Sequence, residues 1–211
     1  MGDNFEKEIE EERAICGYML NDCCRYLGRK SQKKVKNMPY QEYKVKGKRC
    51  WQFVPTEPTI LLRHLQACKK YIYEEKIKKR GESISFLEAG SGVGFNLKIA
   101  DDLGFHPIVG LEYNGKLIKE SENLWCFHGA DVNTIKTDIM DFKKYGDYDV
   151  IFYYMPIVDL NKEDGLTKFD NLVVEQMKKD AILISKDHYV DNPKLKRIFS
   201  FGCFYTYRKV K

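Results

Sequence analysis

Residues 85–105 read SFLEAGSGVGFNLKIADDLGF, and this stretch decides the fold. An apolar run stops at the acid Glu88, three glycines alternate at Gly90, Gly92 and Gly94, and a helical pattern follows. This order predicts a strand, a tight loop and a helix, since glycine allows backbone angles that other residues rarely adopt. In parallel α/β sheets ligands bind outside the carboxyl ends of the strands, so we predict that this loop is a ligand site.

Similar apolar runs recur along the chain and mostly alternate with helical patterns. The predicted strands are 84–88, 107–112, 133–137, 148–155 and 181–186, and the predicted helices are 95–103, 114–124 and 164–179. Strands alternating with helices form βαβ units, so the pattern predicts a doubly wound α/β fold, with a mostly parallel sheet and helices on both faces. The last residues, 197–211, alternate around Gly202 without a helical pattern and predict an antiparallel C-terminal edge.

Two parts of the chain differ in character. We divide it into an N-terminal extension, 1–50, and the α/β domain, 51–211. Apolar residues at helical intervals predict a helix over 5–27, whereas 28–49 lacks periodicity and is predicted to be a loop or cover.

Basic residues are concentrated in 29–49, which contains nine Lys and Arg residues but only one acidic residue, Glu42. The net charge of the whole chain is +5. Such a cluster suits a polyanionic partner, so one interpretation is that 29–49 binds nucleic acid or an acidic protein surface. The other interpretation is a solvated basic linker, and the sequence leaves both open.

Composition excludes several classes of protein. No apolar run in the 211 residues approaches the roughly 20 residues of a membrane span. The acidic start does not resemble a signal peptide, so we expect a cytoplasmic protein without a membrane segment. Seven cysteines, an odd number without a C-x-x-C pair, predict neither a disulfide framework nor a zinc site, and we expect no metal.

The spacing of the glycines separates two classes of ligand. A dinucleotide-binding loop, G-x-G-x-x-G, would need glycine at position 95, where this chain has Phe95. The acid Glu88 would also repel a pyrophosphate, whereas it would attract a ligand that carries an ammonium group. The loop is therefore predicted to bind a cationic ligand rather than a dinucleotide.

The motif Glu88-Ala-Gly90-Ser-Gly92-Val-Gly94 resembles the E/D-x-G-x-G-x-G motif of the class I S-adenosylmethionine-dependent methyltransferases, which have a Rossmann-like fold. The resemblance extends over about 84–190. It implies that S-adenosyl-L-methionine is the cofactor and that Glu88, Gly90, Gly92 and Gly94 contact it.

Two further strand ends match the same family. The resemblance implies that Glu112, which lies in VGLEYN and ends the predicted strand 107–112, holds the ribose hydroxyls of the cofactor. It also implies that Asp138, in IKTDIMDF, reaches the adenine amino group, with the backbone amide of Ile139 beside it. The alternatives are an ordinary strand-end carboxylate for Glu112 and an Asx turn or helix cap for Asp138.

The end of the fourth predicted strand, YDVIFYYMPI at 148–157, corresponds to the acceptor-facing motif of the family. Strand alternation sends Tyr153 to one face of the sheet and Phe152 and Tyr154 to the other, so these rings could be core residues. Tyr154 lies nearest the carboxyl end and is our candidate to line the acceptor pocket.

The second catalytic candidate follows the fifth predicted strand, in SKDHYVDNP at 185–193. His188 stands there among several polar residues, and histidine side chains titrate near neutral pH, which suits a general base. The alternative is a hydrogen-bonded loop histidine.

The segment FVPTEP, 53–58, precedes a further predicted helix that Gly81 closes. It resembles the segment before the glycine motif in the Dot1-like group. That resemblance implies that Pro55, Thr56 and Glu57 approach the methionine end of the cofactor.

The resemblance as a whole implies a methyltransferase whose acceptor is RNA, a protein side chain or a small molecule. The acceptor motif lacks the Asp/Asn-Pro-Pro-aromatic pattern of adenine methyltransferases and the Pro-Cys nucleophile of cytosine C5 enzymes. Two alternatives remain open. One is a non-catalytic module that binds the cofactor beside a degenerate acceptor site, and the other is a lyase or aminopropyl transferase that uses the same sulfonium cofactor.

Overall fold

The structure is a computed structural model that describes residues 43–45, 48–50, 56, 58–128, 132–154 and 165–211. Its strands are β1 (Tyr43–Val45), β2 (Lys48–Cys50), β3 (Phe86–Ala89), β4 (Ile108–Glu112), β5 (Asn133–Lys136), β6 (Val150–Tyr154), β7 (Ile182–Lys186), β8 (Leu195–Phe201) and β9 (Phe204–Lys209). Its helices are α1 (Pro58–Glu74), α2 (Phe95–Asp102), α3 (Gly115–His128) and α4 (Gly165–Gln176), with a short 3-10 turn at Tyr145–Asp147. The predicted helix at 5–27 lies outside the described residues.

Seven strands form one sheet in the order β5-β4-β3-β6-β7-β9-β8. Neighbouring strands from β5 to β7 are parallel, whereas β9 runs antiparallel to both β7 and β8. The strand order reverses at β3, because β4 and β5 extend to one side of it and β6 and β7 to the other. The predicted doubly wound, mostly parallel sheet is confirmed, and the glycine loop after β3 lies at the switch point where such sheets bind ligands.

The C-terminal hairpin is confirmed, with one difference in its placement. The reversed strand β9 lies between β7 and β8, so the strand at the very edge is parallel to β7. The connection from β7 to β8 crosses back to the amino end without a helix, and the hairpin then returns to the carboxyl end. There the backbone N–H of Asp187 donates to the carbonyl of Cys203 at 2.7 Å.

Helices cover both faces of the sheet, as predicted. On one face α1 and α2 pack against alternate strand residues; this cluster includes Leu61, Leu65, Leu97, Phe86, Phe152, Ile184 and Phe204. On the other face α4 packs against the intervening residues; this cluster includes Phe169, Val173, Leu87, Ile151, Tyr153, Leu183 and Tyr207. Tyr154 packs against the first cluster and Tyr153 belongs to the second, as strand alternation predicts.

A buried carboxylate ties the amino ends of β3 and β6 together. Asp149 accepts hydrogen bonds from the backbone N–H and hydroxyl of Ser85 at 2.8 and 2.9 Å, and pairs with Lys78 and Lys178, both at 2.7 Å. Burial on its own raises the pKa of Asp149, but the two lysines and Ser85 outweigh burial and the pKa is lowered. This end of the sheet is therefore fixed by charge as well as by apolar packing.

Two local predictions need correction. The helix that opens at Pro58 ends at Glu74 rather than near Gly81, and Lys76 follows it with φ 55°, which is incompatible with a continuing helix. The segment 28–49 was expected to be irregular, yet β1 and β2 pair over 43–50, at its C-terminal end, as a short antiparallel ladder. Tyr and Val favour extended structure, and three-residue strands are too short to give a sequence period.

Candidate functional site

The loop after β3 depends on its glycines. Gly90, Gly92 and Gly94 have φ values of 82°, 58° and 79°, a region that costs other residues conformational energy. The backbone N–H groups of Gly90 and Ser91 both donate to the carbonyl of Leu111, at 2.8 and 2.9 Å. The loop is thereby fastened to the carboxyl end of β4, and Gly94 leads directly into α2.

A fourth glycine, in β4, supports this loop and was not singled out from the sequence. A Cβ placed on Gly110 would lie 2.5 Å from Ser91 Oγ and 2.6 Å from Leu97 Cδ1. Glycine is therefore required for the loop and the first turns of α2 to pack against β4. A lone glycine inside a strand pattern often marks such a close approach, so the sequence did contain an indication of this contact.

Glu88 is buried at the mouth of the loop, with 2% of its surface exposed. Its Oε1 accepts a hydrogen bond of 2.6 Å from Nδ2 of Asn96, and the same amide donates to Oγ1 of Thr56 at 3.3 Å. Within the described part of the chain, Glu88 Oε2 has no hydrogen-bond partner. Burial raises the pKa of this carboxyl well above its ordinary value, the Asn96 bond offsets part of the rise, and Glu112 adds to it.

Glu112, at the end of β4, braces the glycine loop. Its Oε2 accepts the backbone N–H of Gly92 at 2.9 Å, and its Oε1 accepts the backbone N–H of Asn114 at 2.7 Å. Burial raises the pKa of Glu112, and the hydrogen bonds from these amides reduce the rise. A carboxylate offers about four acceptor positions, so each oxygen keeps capacity for a further donor.

Asp138 and Ile139 follow β5, at the same edge of the sheet. Oδ1 of Asp138 accepts the backbone N–H of Met140 at 3.0 Å, which is the Asx turn that the sequence allowed. The carbonyl of Ile139 accepts the hydroxyl of the buried Tyr145 at 2.8 Å. The turn and the tyrosine together fix the backbone that leaves β5.

Tyr154 is half-buried at the end of β6, beside the end of β7. Lys186 Nζ lies 3.4 Å from the centre of its ring, and the same ammonium pairs with Asp187 at 2.8 Å. Burial on its own lowers the pKa of Lys186, but the Asp187 carboxylate and the Tyr154 hydroxyl outweigh burial and raise it. Met155 and Pro156, the rest of the acceptor motif, lie outside the described residues.

His188 lies two residues beyond β7, and its ring contacts α4. Nε2 of the imidazole is 2.6 Å from Oδ2 of Asp170, a carboxylate that is itself buried. The His188 side chain is 23% exposed, so it keeps access to solvent at the carboxyl edge of the sheet. The polar residues after β7 thus have different partners: Lys186 contacts Tyr154, and His188 contacts Asp170.

The two catalytic candidates face different sides of the sheet. Tyr154 packs with the cluster under α1 and α2, whereas the partner of His188 belongs to α4 on the opposite face. Of the predicted cofactor residues, Glu112 lies at the glycine loop, where it contacts Gly92 and raises the pKa of Glu88. Asp138 and Ile139 follow the neighbouring strand β5 at the same edge of the sheet. Pro55 and Glu57 lie outside the described residues, but Thr56 is joined to Glu88 through Asn96.

The described residues include no group of three or more His, Cys, Asp or Glu side chains that could hold a metal ion. The helices of this part of the chain are also too short or too polar to cross a membrane.

Solved structures share this architecture. An RNA methyltransferase from Salinibacter ruber, in complex with S-adenosyl-L-homocysteine, superposes with a TM-score of 0.55 at 19% identity, over 74% of this chain and 92% of that one. The chain has the class I methyltransferase fold. The N-methyltransferase NodS from Bradyrhizobium japonicum WM9 gives a TM-score of 0.52 at 14% identity, over 71% of this chain and 95% of that one. No protein-family model matches the sequence, and no curated protein matches it significantly. The predicted resemblance is confirmed at the level of the fold.

Three contacts of the site were missed from the sequence: those of Asn96, Asp170 and Lys186. Asn96 stands two positions after the last glycine, on the buried side of α2, and a polar residue there was a usable signal. Asp170 interrupts the apolar side of α4 next to Phe169, which was a second signal. The stacking of Lys186 on Tyr154 gave none, because it depends on the pairing of β6 with β7.

Proposed function

We propose that this protein is an S-adenosyl-L-methionine-dependent methyltransferase. The observation that carries the proposal is the buried carboxylate of Glu88, whose Oε2 has no hydrogen-bond partner among the described residues. A buried polar atom without a partner is costly, so the site favours a ligand that supplies a donor, and an ammonium group supplies a charged one. The amino acid end of S-adenosyl-L-methionine carries such a group.

The other residues of the loop suit the rest of the cofactor. Glycines without side chains let a ligand approach the backbone at Gly90 and Gly92, and Glu112 could accept the ribose hydroxyls in addition to its two backbone donors. Asp138 and the amide of Ile139 would lie against the adenine. In this assignment Glu88, Glu112 and Asp138 stand at the ends of three neighbouring strands, β3, β4 and β5.

When bound, the cofactor supplies an activated sulfonium methyl group, so much of the work left to the protein is positioning. Tyr154 would line the acceptor pocket, and Lys186 holds its ring in place. His188 would take the proton of an N–H or O–H acceptor. The acceptor itself stays open, since one structure with this fold is an RNA methyltransferase and another an N-methyltransferase.

Calorimetric titration tests the cofactor assignment. Wild-type protein should bind S-adenosylmethionine and S-adenosylhomocysteine but not NAD. Glu88→Gln should weaken binding of S-adenosylhomocysteine by about 10- to 100-fold, since hydrogen bonds to charged groups contribute about 1.5–3 kcal/mol. Binding of 5′-methylthioadenosine, which lacks the amino acid end, should not change in this variant.

A matched control is Glu122→Gln, which removes an exposed carboxylate on α3. Equal weakening of both ligands in Glu88→Gln would contradict the ammonium contact, and no binding of either sulfur compound by the wild type would refute the proposed function.

Methyl transfer and its acceptor need a separate assay. Transfer of labelled methyl groups to RNA, protein or metabolite fractions identifies the class of acceptor, and we propose that the basic segment 29–49 contacts it if it is polyanionic. Neutralising Lys33, Lys34 and Lys36 should then weaken binding to RNA and reduce its salt dependence. Cofactor binding without transfer to any fraction would favour the non-catalytic alternative.

A further inference from the structure

Asp170 and His188 form a pair that the proposed function leaves unexplained. We propose that Asp170 is a positioning residue that fixes His188 in the tautomer with its proton on Nε2, so that Nδ1 is the atom that accepts the proton of the methyl acceptor. The base role of Nδ1 rests on the proposed methyltransferase function. The positioning role rests on the contacts of Asp170 alone.

Asp170 lies in an almost fully buried environment. Only 5% of this residue is exposed, and it lies on α4 between residues of the second core cluster, such as Phe169 and Val173. A carboxylate at this depth is costly unless donors satisfy it. Two side chains do so: the Tyr153 hydroxyl lies 2.5 Å from Oδ1, and Nε2 of His188 lies 2.6 Å from Oδ2.

The carboxylate of Asp170 accepts both of these hydrogen bonds. Burial raises the pKa of Tyr153 well above its ordinary value, and Asp170 raises it further, so the hydroxyl keeps its proton and donates it. An ionised carboxylate only accepts, so Nε2 of His188 must be the donor in the second bond. Neutral imidazole has one N–H, which leaves the lone pair on Nδ1.

The backbone of His188 is anchored as well as its side chain. The hydroxyl of Ser185 donates to the carbonyl of His188 at 2.5 Å, and Asp187 between them has φ 58°, a left-handed backbone conformation. His188 is therefore held at two points, by its carbonyl and by Nε2. A base held in this way loses little freedom when an acceptor arrives.

With His188 in this tautomer, every electron pair and proton of the methyl transfer has a destination. The lone pair of the acceptor nitrogen or oxygen forms the new bond to the methyl carbon. With S-adenosylmethionine bound, the methyl–sulfur bond would break, and its electron pair would remain on sulfur and neutralise the sulfonium. The proton of the acceptor passes to Nδ1, and the resulting imidazolium is stabilised by the Asp170 carboxylate at Nε2. An acceptor without a proton to lose, such as a thioether, would gain nothing from the pair.

Nitrogen-15 NMR of the imidazole tests the tautomer without any cofactor. Long-range ¹H–¹⁵N spectra of labelled protein should show His188 with the proton on Nε2, and His188→Gln assigns its signals among the four histidines. In Asp170→Asn the side-chain amide can donate to Nε2, so the proton should move to Nδ1. Tyr153→Phe is the matched control: it removes the other donor to Asp170 and should leave the tautomer unchanged.

Methyl-transfer kinetics, measured on the acceptor fraction that the labelling assay identifies, test whether this tautomer of His188 is needed for catalysis. Asp170→Asn should lower kcat at least 100-fold, within the 10²–10⁴-fold range of general-base catalysis, while the affinity for S-adenosylhomocysteine changes by less than about threefold. A wild-type His188 with its proton on Nδ1, or an Asp170→Asn variant with the wild-type tautomer and kcat, would overturn the positioning role. If the variant does not fold, the wild-type spectrum still decides between the two tautomers. Failure of the wild type to bind S-adenosylhomocysteine refutes the proposed function, and with it the base role, but leaves the tautomer result standing.

Discussion

Replacing Glu88 by glutamine should flatten the pH dependence of the protein's stability. The carboxyl is 2% exposed, and its burial raises the pKa well above the ordinary value of 4.5. Between these two pKa values the folded protein holds a proton that the unfolded chain has lost. The free energy of unfolding of the wild type therefore falls as pH rises, by up to about 1.4 kcal/mol per pH unit for one proton.

Glutamine keeps the shape of the side chain and can still accept the Asn96 hydrogen bond through its oxygen, but it does not titrate. An amide hydrogen left without an acceptor would lower the free energy of unfolding of the variant by the same amount at every pH. The test is therefore the slope of the free energy of unfolding against pH, not its value at one pH. Urea unfolding followed by circular dichroism, from pH 4.5 to 8, gives the free energy of unfolding of both proteins. The advantage of Glu88→Gln relative to wild type should grow with pH.

The control is again Glu122→Gln, whose curve should run parallel to that of the wild type, because the side chain is exposed in the folded protein. Parallel curves for wild type and Glu88→Gln would refute the reasoning, since they would mean that folding does not change the proton affinity of Glu88.

Two further substitutions test the frame around the site. Asp149→Asn should lower the free energy of unfolding at pH 7 by about 2–3 kcal/mol, because it removes the carboxylate from several charged hydrogen bonds. Since the pKa of Asp149 is lowered in the folded state, this stabilisation should fade as urea unfolding is repeated at pH values below 3.8. Gly110→Ala should cost about 1–3 kcal/mol in the same assay, because its Cβ would overlap Ser91 and Leu97, and calorimetry should show weaker binding of S-adenosylhomocysteine.

Matched controls exist for both. Asp191→Asn changes an exposed carboxylate and should leave stability unaltered at every pH. In Gly115→Ala the new Cβ meets only the flexible end of Lys136, at 3.1 Å, so little effect is expected. A pH-independent loss in Asp149→Asn, or wild-type stability in Gly110→Ala, would show that these contacts do not act as described.

Local rules were enough to predict the main elements of the α/β domain. The strand, glycine loop and helix of 85–105 follow from an apolar run, three glycines with positive φ and a helical period, all of which act within a few residues. The C-terminal ends of β6 and α2 were predicted within one residue, and the two faces of β6 followed from alternation. Boundaries were poorer where no glycine or change of period marks them, as at Glu74.

The candidate site was predictable only in part, because local sequence patterns do not encode contacts between residues that are distant in sequence. The sequence by itself determined which residues stand at the ends of β3, β4 and β5, because a strand end is a local event. Only the tertiary structure decided their partners: Asn96 joins Thr56 to Glu88, and the bond between Asp170 and His188 links α4 to the end of β7. It also decided that β9 inserts between β7 and β8. Such choices depend on how helices and strands distant in sequence pack, and no local period encodes that packing.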